Sequence, residues 1–335
     1  MKRSCLIIFQ VLISTGILYY LLTLVSTSRI IEVATSAKSE FILLAVLVSA
    51  INKYAEACRM KMITDCQSLG VTTNRIFQIN LASAFYELFL PSFVTGGAVR
   101  WYKLSQSNGR RAEAMAAIGL NRLINLVLLM LVGGTFWIFS AQNQGNPIHP
   151  LVLIVPFGLV TLLGIILMGH QVFDVLSNIL RKNRLPFVPN VIQEKLEKVI
   201  RASGHFQALT RSVKLKIIGL GFFQIWNVTL TFYLFTLALE LPLSLLTIVW
   251  IQTFVTLLMM LPISIAGLGV REGALAVMLA PYGIALEEAM ALSLFMFMMR
   301  FIWGVLGGLI EGWKFFVPIR KHSIAVVRPT QSSVR

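Results

Sequence analysis

The chain has 335 residues, of which 57% are hydrophobic and 13% are charged, whereas a soluble domain carries about 25% charged residues. So small a charged fraction excludes a large water-facing surface. Lys and Arg outnumber Asp and Glu by 29 to 14, which gives a formal net charge of +15. These basic residues lie between apolar runs, where they orient a membrane protein rather than bind nucleic acid. We therefore predict an integral membrane protein with no nucleic-acid partner.

The chain offers no candidate metal or cofactor site. Cys5, Cys58 and Cys66 lack metal-ligand spacing, and the four histidines are scattered. Cys58 and Cys66 also lie among basic residues typical of a cytoplasmic loop, where thiols stay reduced. We expect neither a metal, nor a cofactor, nor a disulfide framework.

Six apolar stretches reach or approach the roughly 20 residues that a membrane-spanning helix needs. They are 5–25, 40–57, 115–140, 150–170, 217–240 and 288–312. The first follows Lys2 and Arg3 and is longer than the apolar core of an ordinary signal peptide, so we expect an uncleaved span. Two further apolar stretches, 77–98 and 245–285, are interrupted by Pro and Gly.

The loop charges predict the orientation of these segments. Basic residues cluster before 5–25, on both sides of 77–98, within 171–216 and after residue 313. Since Lys and Arg collect in cytoplasmic loops, both termini should be cytoplasmic, and 77–98 should enter and leave on the cytoplasmic side. By the same count, 245–285 should enter and leave on the outside. The prediction is all-α, with about six full transmembrane helices and two opposed re-entrant hairpins; a model with eight spans is the alternative.

One membrane domain should cover residues 1–316. Within it, the cytoplasmic segment 175–216 contains an amphipathic stretch in which apolar residues recur at helical spacing opposite Lys195, Lys198 and Arg201. Such a stretch is typical of a helix lying on lipid headgroups, and equally of a basic orientation loop that is helical. The tail 317–335 should be disordered.

The two interrupted segments share a pattern. Residues 90–100 and 261–271 both read Leu-Pro, four residues, Gly, two residues, Val-Arg. Proline removes a helix hydrogen bond and glycine permits a turn, so both segments should expose backbone groups at membrane depth. Paired broken segments in two halves of a chain indicate a transporter substrate site, although Pro-kinked ordinary helices are the simpler alternative. The predicted hinge residues are Pro91, Gly96, Gly97, Pro262, Gly267 and Gly269.

Charged residues near these breaks are the candidates for substrate binding, because a charge at membrane depth is costly and usually functional. The predicted binding residues are Arg100, Arg271, Glu272, Glu87, Arg122 and Arg300. Alternatives stay open: Arg100 as an orientation residue, Glu272 as the counter-ion of Arg271, and Glu87 as the partner of Arg100 or Arg122. We predict no catalytic residue.

Over nearly its whole length the sequence resembles the lysylphosphatidylglycerol synthase transmembrane region family, also called flippase-like. The resemblance rests on the segment Pro91 to Arg100, the pair Asn121-Arg122, and Leu-Pro-Ile-Ser-Ile-Ala-Gly-Leu-Gly-Val-Arg-Glu-Gly at 261–273. It implies a protein of the bacterial cytoplasmic membrane that moves or handles lipids. The chain departs from the family at Ala98 and Asn121, where acidic residues are usual.

These observations predict a lipid flippase-like transporter for an anionic phospholipid or lipid-linked glycan headgroup, working in envelope lipid metabolism. Two alternatives belong to other classes. One is a non-catalytic membrane partner of envelope-synthesis enzymes. The other is a polyprenyl-phosphate glycosyltransferase, which ranks lower because such chemistry usually needs paired carboxylates or a metal.

Overall fold

A computed structural model describes residues 27–89, 93–141, 209–260 and 268–316, together with Thr23 and Gly158. Every regular element in these ranges is helical, which confirms the predicted all-α class there. The elements are α1 Thr27–Thr35, α2 Ser39–Cys66, α3 Thr73–Phe89, α4 Phe93–Asn108, α5 Arg111–Ala141, α6 Arg211–Ala238, α7 Leu245–Met260, α8 Val270–Leu279, the 3-10 turn Ala280–Tyr282 and α9 Leu286–Phe316.

Four of these helices are long and apolar enough to cross a membrane. They are Ser39–Cys66, Arg111–Trp137, Arg211–Ala238 and Leu286–Trp313, and they confirm the apolar stretches predicted at 40–57, 115–140, 217–240 and 288–312. The predicted spans 5–25 and 150–170, most of the segment 175–216 and the tail 317–335 lie outside the described residues. The count of six spans and the domain limits therefore stay predictions.

Helix α2 is longer than the sequence pattern indicated. Arg59 and Lys61 were expected in the loop after the span at 40–57, but α2 continues to Cys66 and contains both. The reason is that the side chain of Arg59 is only 2% exposed and lies among neighbouring helices. A charged residue that is buried among neighbouring helices does not mark the end of a span.

The first interrupted segment forms two helices, because α3 ends at Phe89 and α4 begins at Phe93. A Cβ placed on Gly96 would lie only 1.5 Å from Glu87 Oε1. If Glu87 and Gly96 lay in one straight helix, they would be separated by about 13 Å. Helices α3 and α4 therefore pack against each other rather than forming one straight helix.

The helices pair in a pattern that relates the two halves of the chain. Helix α2 packs on α6, α3 packs on α9, and α5 packs on α7. Helices α2 to α5 can be matched in order with α6 to α9. The α2–α6 contact then corresponds to itself, and the α3–α9 contact corresponds to the α5–α7 contact. Helix α4 also packs between α3 and α5, as α8 packs between α7 and α9. The two halves thus share one packing plan.

The equivalent helices α2 and α6 run antiparallel. The Lys38 N–H before α2 donates to the carbonyl of Ala238 at the end of α6 at 2.9 Å, while Arg59 near the other end of α2 lies against Gly221 near the start of α6. Antiparallel equivalents are what an inverted repeat produces.

Close helix crossings depend on glycine. A Cβ on Gly307 of α9 would lie 1.9 Å from the backbone oxygen of Leu81 in α3, and one on Gly133 of α5 would lie 2.2 Å from Thr253 in α7. Small residues let membrane helices approach closely, and the gain is van der Waals contact. The buried apolar residues form two large clusters, one including Phe235 and the other including Ile63.

We expect Gly307→Ala to lower the thermal unfolding midpoint in detergent, because the new methyl group meets backbone that cannot rotate away. Overpacking of this kind costs about 1–3 kcal/mol. Gly312→Ala is the matched control in the same helix, since a Cβ there meets nothing within 4 Å and alanine favours helix. Equal midpoints for the two variants would contradict the close crossing.

Candidate functional site

A cavity of about 280 Å³ lies where the two halves meet. Its walls come from α2, α3, α6, α7 and α9, and they combine polar and apolar side chains. The polar lining residues are Ser49, Asn52, Lys53, Glu87, Thr231, Gln252, Arg300 and Trp303, and the apolar ones include Phe232, Phe235, Met296 and Met299. The cavity is therefore amphipathic, with charges of both signs.

One face of α2 supplies part of the polar wall. Ser49, Asn52, Lys53 and Glu56 recur at spacings of three and four residues, which places them on one side of the helix. Trp303 Nε1 donates to Ser49 Oγ at 2.9 Å, and Lys53 Nζ lies 3.4 Å from Glu56 Oε2. Asn52 Oδ1 is buried without a hydrogen-bond partner among the described residues. The wall thus offers polar groups that its own neighbours do not saturate.

Glu87 and Arg300 are the predicted site residues that line the cavity. Arg300 interacts electrostatically with Arg271, Glu87 and Glu272. Glu87 also reaches the first break, the interruption within residues 90–100. There its carboxylate occupies the space that a side chain at Gly96 would fill. The glycine is required at this position because the carboxylate packs directly against its Cα.

The first break brings together more predicted residues, beside the cavity rather than in its wall. The guanidinium of Arg122 lies against Gly97, 3.5 Å from where a Cβ would stand, and Arg122 interacts with Arg100 and Glu87. Arg100 Nη2 lies 3.1 Å from Glu56 Oε1. The acidic partner of Arg100 is therefore supplied by α2, and Ala98 and Asn121 leave it unaffected.

A buried network of hydrogen bonds lies at the second break, the interruption within residues 261–271, where α8 begins. Arg271, only 1% exposed, donates from Nη2 to Glu272 Oε1 at 2.5 Å and from Nε to Ser293 Oγ at 2.6 Å. Ser293 in turn donates to the same carboxylate oxygen at 2.7 Å. The Gly269 N–H donates to Glu272 Oε2 at 2.7 Å, so Glu272 also caps α8.

This network holds α8 on α9. Gly269 adopts φ +80° immediately before α8, a backbone conformation that favours glycine. The Arg271 guanidinium also lies 5.7 Å from the centre of the Phe297 ring. Arg271 and Glu272 do not line the cavity, and the alternative in which Glu272 is the counter-ion of Arg271 agrees with the contacts. Pro91, Pro262 and Gly267 lie outside the described residues.

Sequence reasoning missed several lining residues, namely Ser49, Asn52, Lys53, Gln252 and Trp303. The spacing of the polar residues in α2 was a usable signal for the first three. No comparable signal exists for Gln252, which is one of four polar residues in an apolar helix, with Thr247, Thr253 and Thr256. It was missed because only packing decides which face of α7 meets the other half.

The described fold defines a polytopic helical membrane protein with a charged cavity between two similarly packed halves. Within this class, the chain belongs to the family described as the lysylphosphatidylglycerol synthase TM region, whose family model matches residues 7–308. The family resemblance read from the sequence is thereby confirmed. No curated protein matches the chain. Membership indicates a lipid-related function in a membrane.

We expect Glu272→Ala to destabilise the protein by about 3–5 kcal/mol, because it leaves a buried arginine without its counter-charge. A double variant, Arg271→Leu with Glu272→Leu, should be less destabilised, since no unpaired charge remains. Thermal unfolding in detergent measures both effects.

The control is Glu240→Ala, which removes an exposed ion pair. Lys38 Nζ lies 2.7 Å from Glu240 Oε1 with both side chains exposed, and this hydrogen bond raises the pKa of Lys38. Exposed pairs contribute little to stability, so this variant should unfold like the wild type. Loss of equal size in both single variants would contradict the assigned role of the buried network.

Proposed function

We propose that the protein is a lipid flippase-like transporter that carries an anionic phospholipid or lipid-linked glycan headgroup across the bacterial cytoplasmic membrane. The observation that carries the proposal is the cavity between the halves. It places Lys53 and Arg300 beside apolar walls, within helices long enough to span a bilayer. Charged side chains at membrane depth that face a cavity are typical of substrate pathways.

The lining suits a phosphate-bearing headgroup with its acyl chains left in lipid. Arg and Lys form charge-assisted hydrogen bonds with phosphate oxygens, and Gln252, Thr231 and Asn52 add uncharged polar groups for glycerol or sugar hydroxyls. A volume of about 280 Å³ holds a headgroup but no complete lipid. The substrate would therefore enter from the side, headgroup first.

The shared packing plan supports alternating access. In inverted-repeat transporters the site lies between the repeats, and rocking of one repeat against the other exposes it to each side in turn. We propose that 77–98 and 245–285 form the two opposed re-entrant hairpins, with six full spans and both termini in the cytoplasm. The basic loops support this orientation through the preference of Lys and Arg for the cytoplasmic side.

We further propose that the protein transports lipid rather than transferring sugars. In the described part of the chain Glu87 is the one carboxylate in the cavity wall, whereas paired carboxylates are the usual acid and base of glycosyl chemistry. A single carboxylate between basic residues instead suits electrostatic tuning of an anion site.

We expect Arg300→Gln and Lys53→Gln each to slow transport of fluorescent phosphatidylglycerol about 10-fold or more, the effect of losing one charge-assisted hydrogen bond. Dithionite quenching in proteoliposomes of phosphatidylcholine and phosphatidylglycerol measures the rate. Arg211→Gln is the matched control, because Arg211 is exposed at the start of α6. Wild-type vesicles that behave like protein-free vesicles would overturn the proposed function.

A further inference from the structure

We propose a second anion site, two helical turns from the cavity and centred on Arg59, which holds the phosphate group of a lipid before or after it occupies the cavity. The role as a station in transport rests on the proposed function; the anion binding itself does not. The site lies between α2, α4, α5 and α6. Its elements are a buried arginine, several buried polar atoms without partners, and a surplus of positive charge.

Arg59 is buried where a span would normally be apolar. Its side chain is 2% exposed, and both Nη1 and Nη2 lie 3.4 Å from Asn125 Oδ1 of α5. A Cβ on Gly221 of α6 would lie 3.0 Å from Arg59 Nη1, so this glycine makes room for the guanidinium. Arg59 Nε has no hydrogen-bond partner among the described residues.

Polar atoms of three residues in the neighbouring stretches of α4, α5 and α6 are also left without partners in the described ranges. They are Gln224 Nε2, Arg100 Nε and Asn121 Oδ1. Gln224 lies one turn from Gly221 on the same face of α6, and Asn121 lies one turn from Asn125 on α5. Three of the four orphaned atoms, counting Arg59 Nε, are donors. An unsatisfied buried polar group costs about 1–3 kcal/mol, so a ligand that accepts hydrogen bonds would recover this energy.

The charge balance points to an anion. Lys53, Arg59 and Arg100 surround one carboxylate, Glu56, which lies 3.4 Å from Lys53 and 3.1 Å from Arg100. Three cations against one anion leave two positive charges. Arg122 adds a fourth cation that interacts with Arg100, but it also interacts with Glu87, whose charge offsets it. A net positive cluster inside a membrane is costly unless an anion joins it.

The register of two helices connects this cluster to the cavity. Along α2, Asn52 lines the cavity, and Glu56 and Arg59 follow four and seven residues later on the same face, about 10 Å from Asn52 to Arg59. Along α6, Thr231 and Val228 line the cavity, and Gln224 and Gly221 follow in the opposite chain direction. Because α2 and α6 are antiparallel, both rows descend toward the same end of the molecule. The polar surface thus continues from the cavity to Arg59.

The ligand chemistry is a phosphate-type anion, because a guanidinium and an amide N–H donate to its oxygens while the surplus charge is neutralised. Such an anion comes from a lipid headgroup or from free phosphate. We favour the lipid headgroup, since the site is continuous with a cavity inside the membrane. The experiment below separates the two sources.

Native mass spectrometry of protein released from nanodiscs of phosphatidylcholine with phosphatidylglycerol counts the retained anionic lipids. The wild type should retain two molecules of phosphatidylglycerol, Arg59→Gln and Gln224→Leu one fewer, and Arg300→Gln also one fewer through the other site. Combining Arg59→Gln with Arg300→Gln should abolish retention. Arg211→Gln is the matched control and should retain two.

Glu56→Gln separates binding from a structural role, because it raises the surplus of positive charge. It should bind phosphatidylglycerol about tenfold more tightly, whereas a merely structural cluster would only lose stability. If Arg59→Gln does not fold, Gln224→Leu and Glu56→Gln test the second anion site instead, because neither variant removes a cation. Thermal stabilisation by inorganic phosphate that depends on Arg59, without lipid retention, would assign the site to free phosphate.

Retention and phosphate stabilisation identical in wild type, Arg59→Gln, Gln224→Leu and Glu56→Gln would overturn the second site. This result is distinct from failure of the proposed function. If vesicle transport is absent while lipid retention depends on Arg59, the transporter proposal is wrong and the anion site stands. If transport depends on Arg300 but lipid retention is unchanged in Arg59→Gln, the second site is wrong and the transporter proposal stands.

Discussion

Hydrocarbon offers no hydrogen-bond partner, so every polar group that this protein places inside the membrane must be satisfied by the protein or by a ligand. The arrangement of the helices depends on this constraint. Arg271, Glu272 and Ser293 form hydrogen bonds with one another at the second break, and Arg271 Nη1 alone among them has no partner in the described residues. Arg100 finds Glu56 on another helix. Asn52 Oδ1 in the cavity wall and Arg59 Nε further along α2 are among the buried polar atoms without a partner in the described residues.

The charged residues at the two breaks are paired in different ways, although the sequences of the breaks are alike. At the second break Arg271 and Glu272 pair with each other, and their bonds to Ser293 attach α8 to α9. At the first break Glu87 and Arg122 pack against Gly96 and Gly97, and Glu87 also faces the cavity. Similar motifs thus carry different electrostatic roles in two halves with one packing plan. The asymmetry arises from the residues on the facing helices.

Local pattern was sufficient for the existence and type of most helices in the described part of the chain. Apolar length predicted four spanning helices, and the interrupted segment 77–98 contains the end of α3 and the start of α4. Helix ends were less predictable, as Arg59 shows, because a charge ends a span only when it needs water. Among the predicted site residues, Glu87 and Arg300 line the cavity, while Arg271 and Glu272 lie in a separate buried network.

Composition, apolar length and motif pattern were enough to identify a membrane protein of one family, with two similar Pro- and Gly-containing segments and costly charges near them. These properties depend on neighbours along the chain. The partner of each charge depends instead on how the helices pack, since Glu56 and Arg100 come from different helices. Helix packing also decides which polar faces meet to form the cavity. Such pairings depend on helix rotation and crossing, which close contacts at residues such as Gly307 establish.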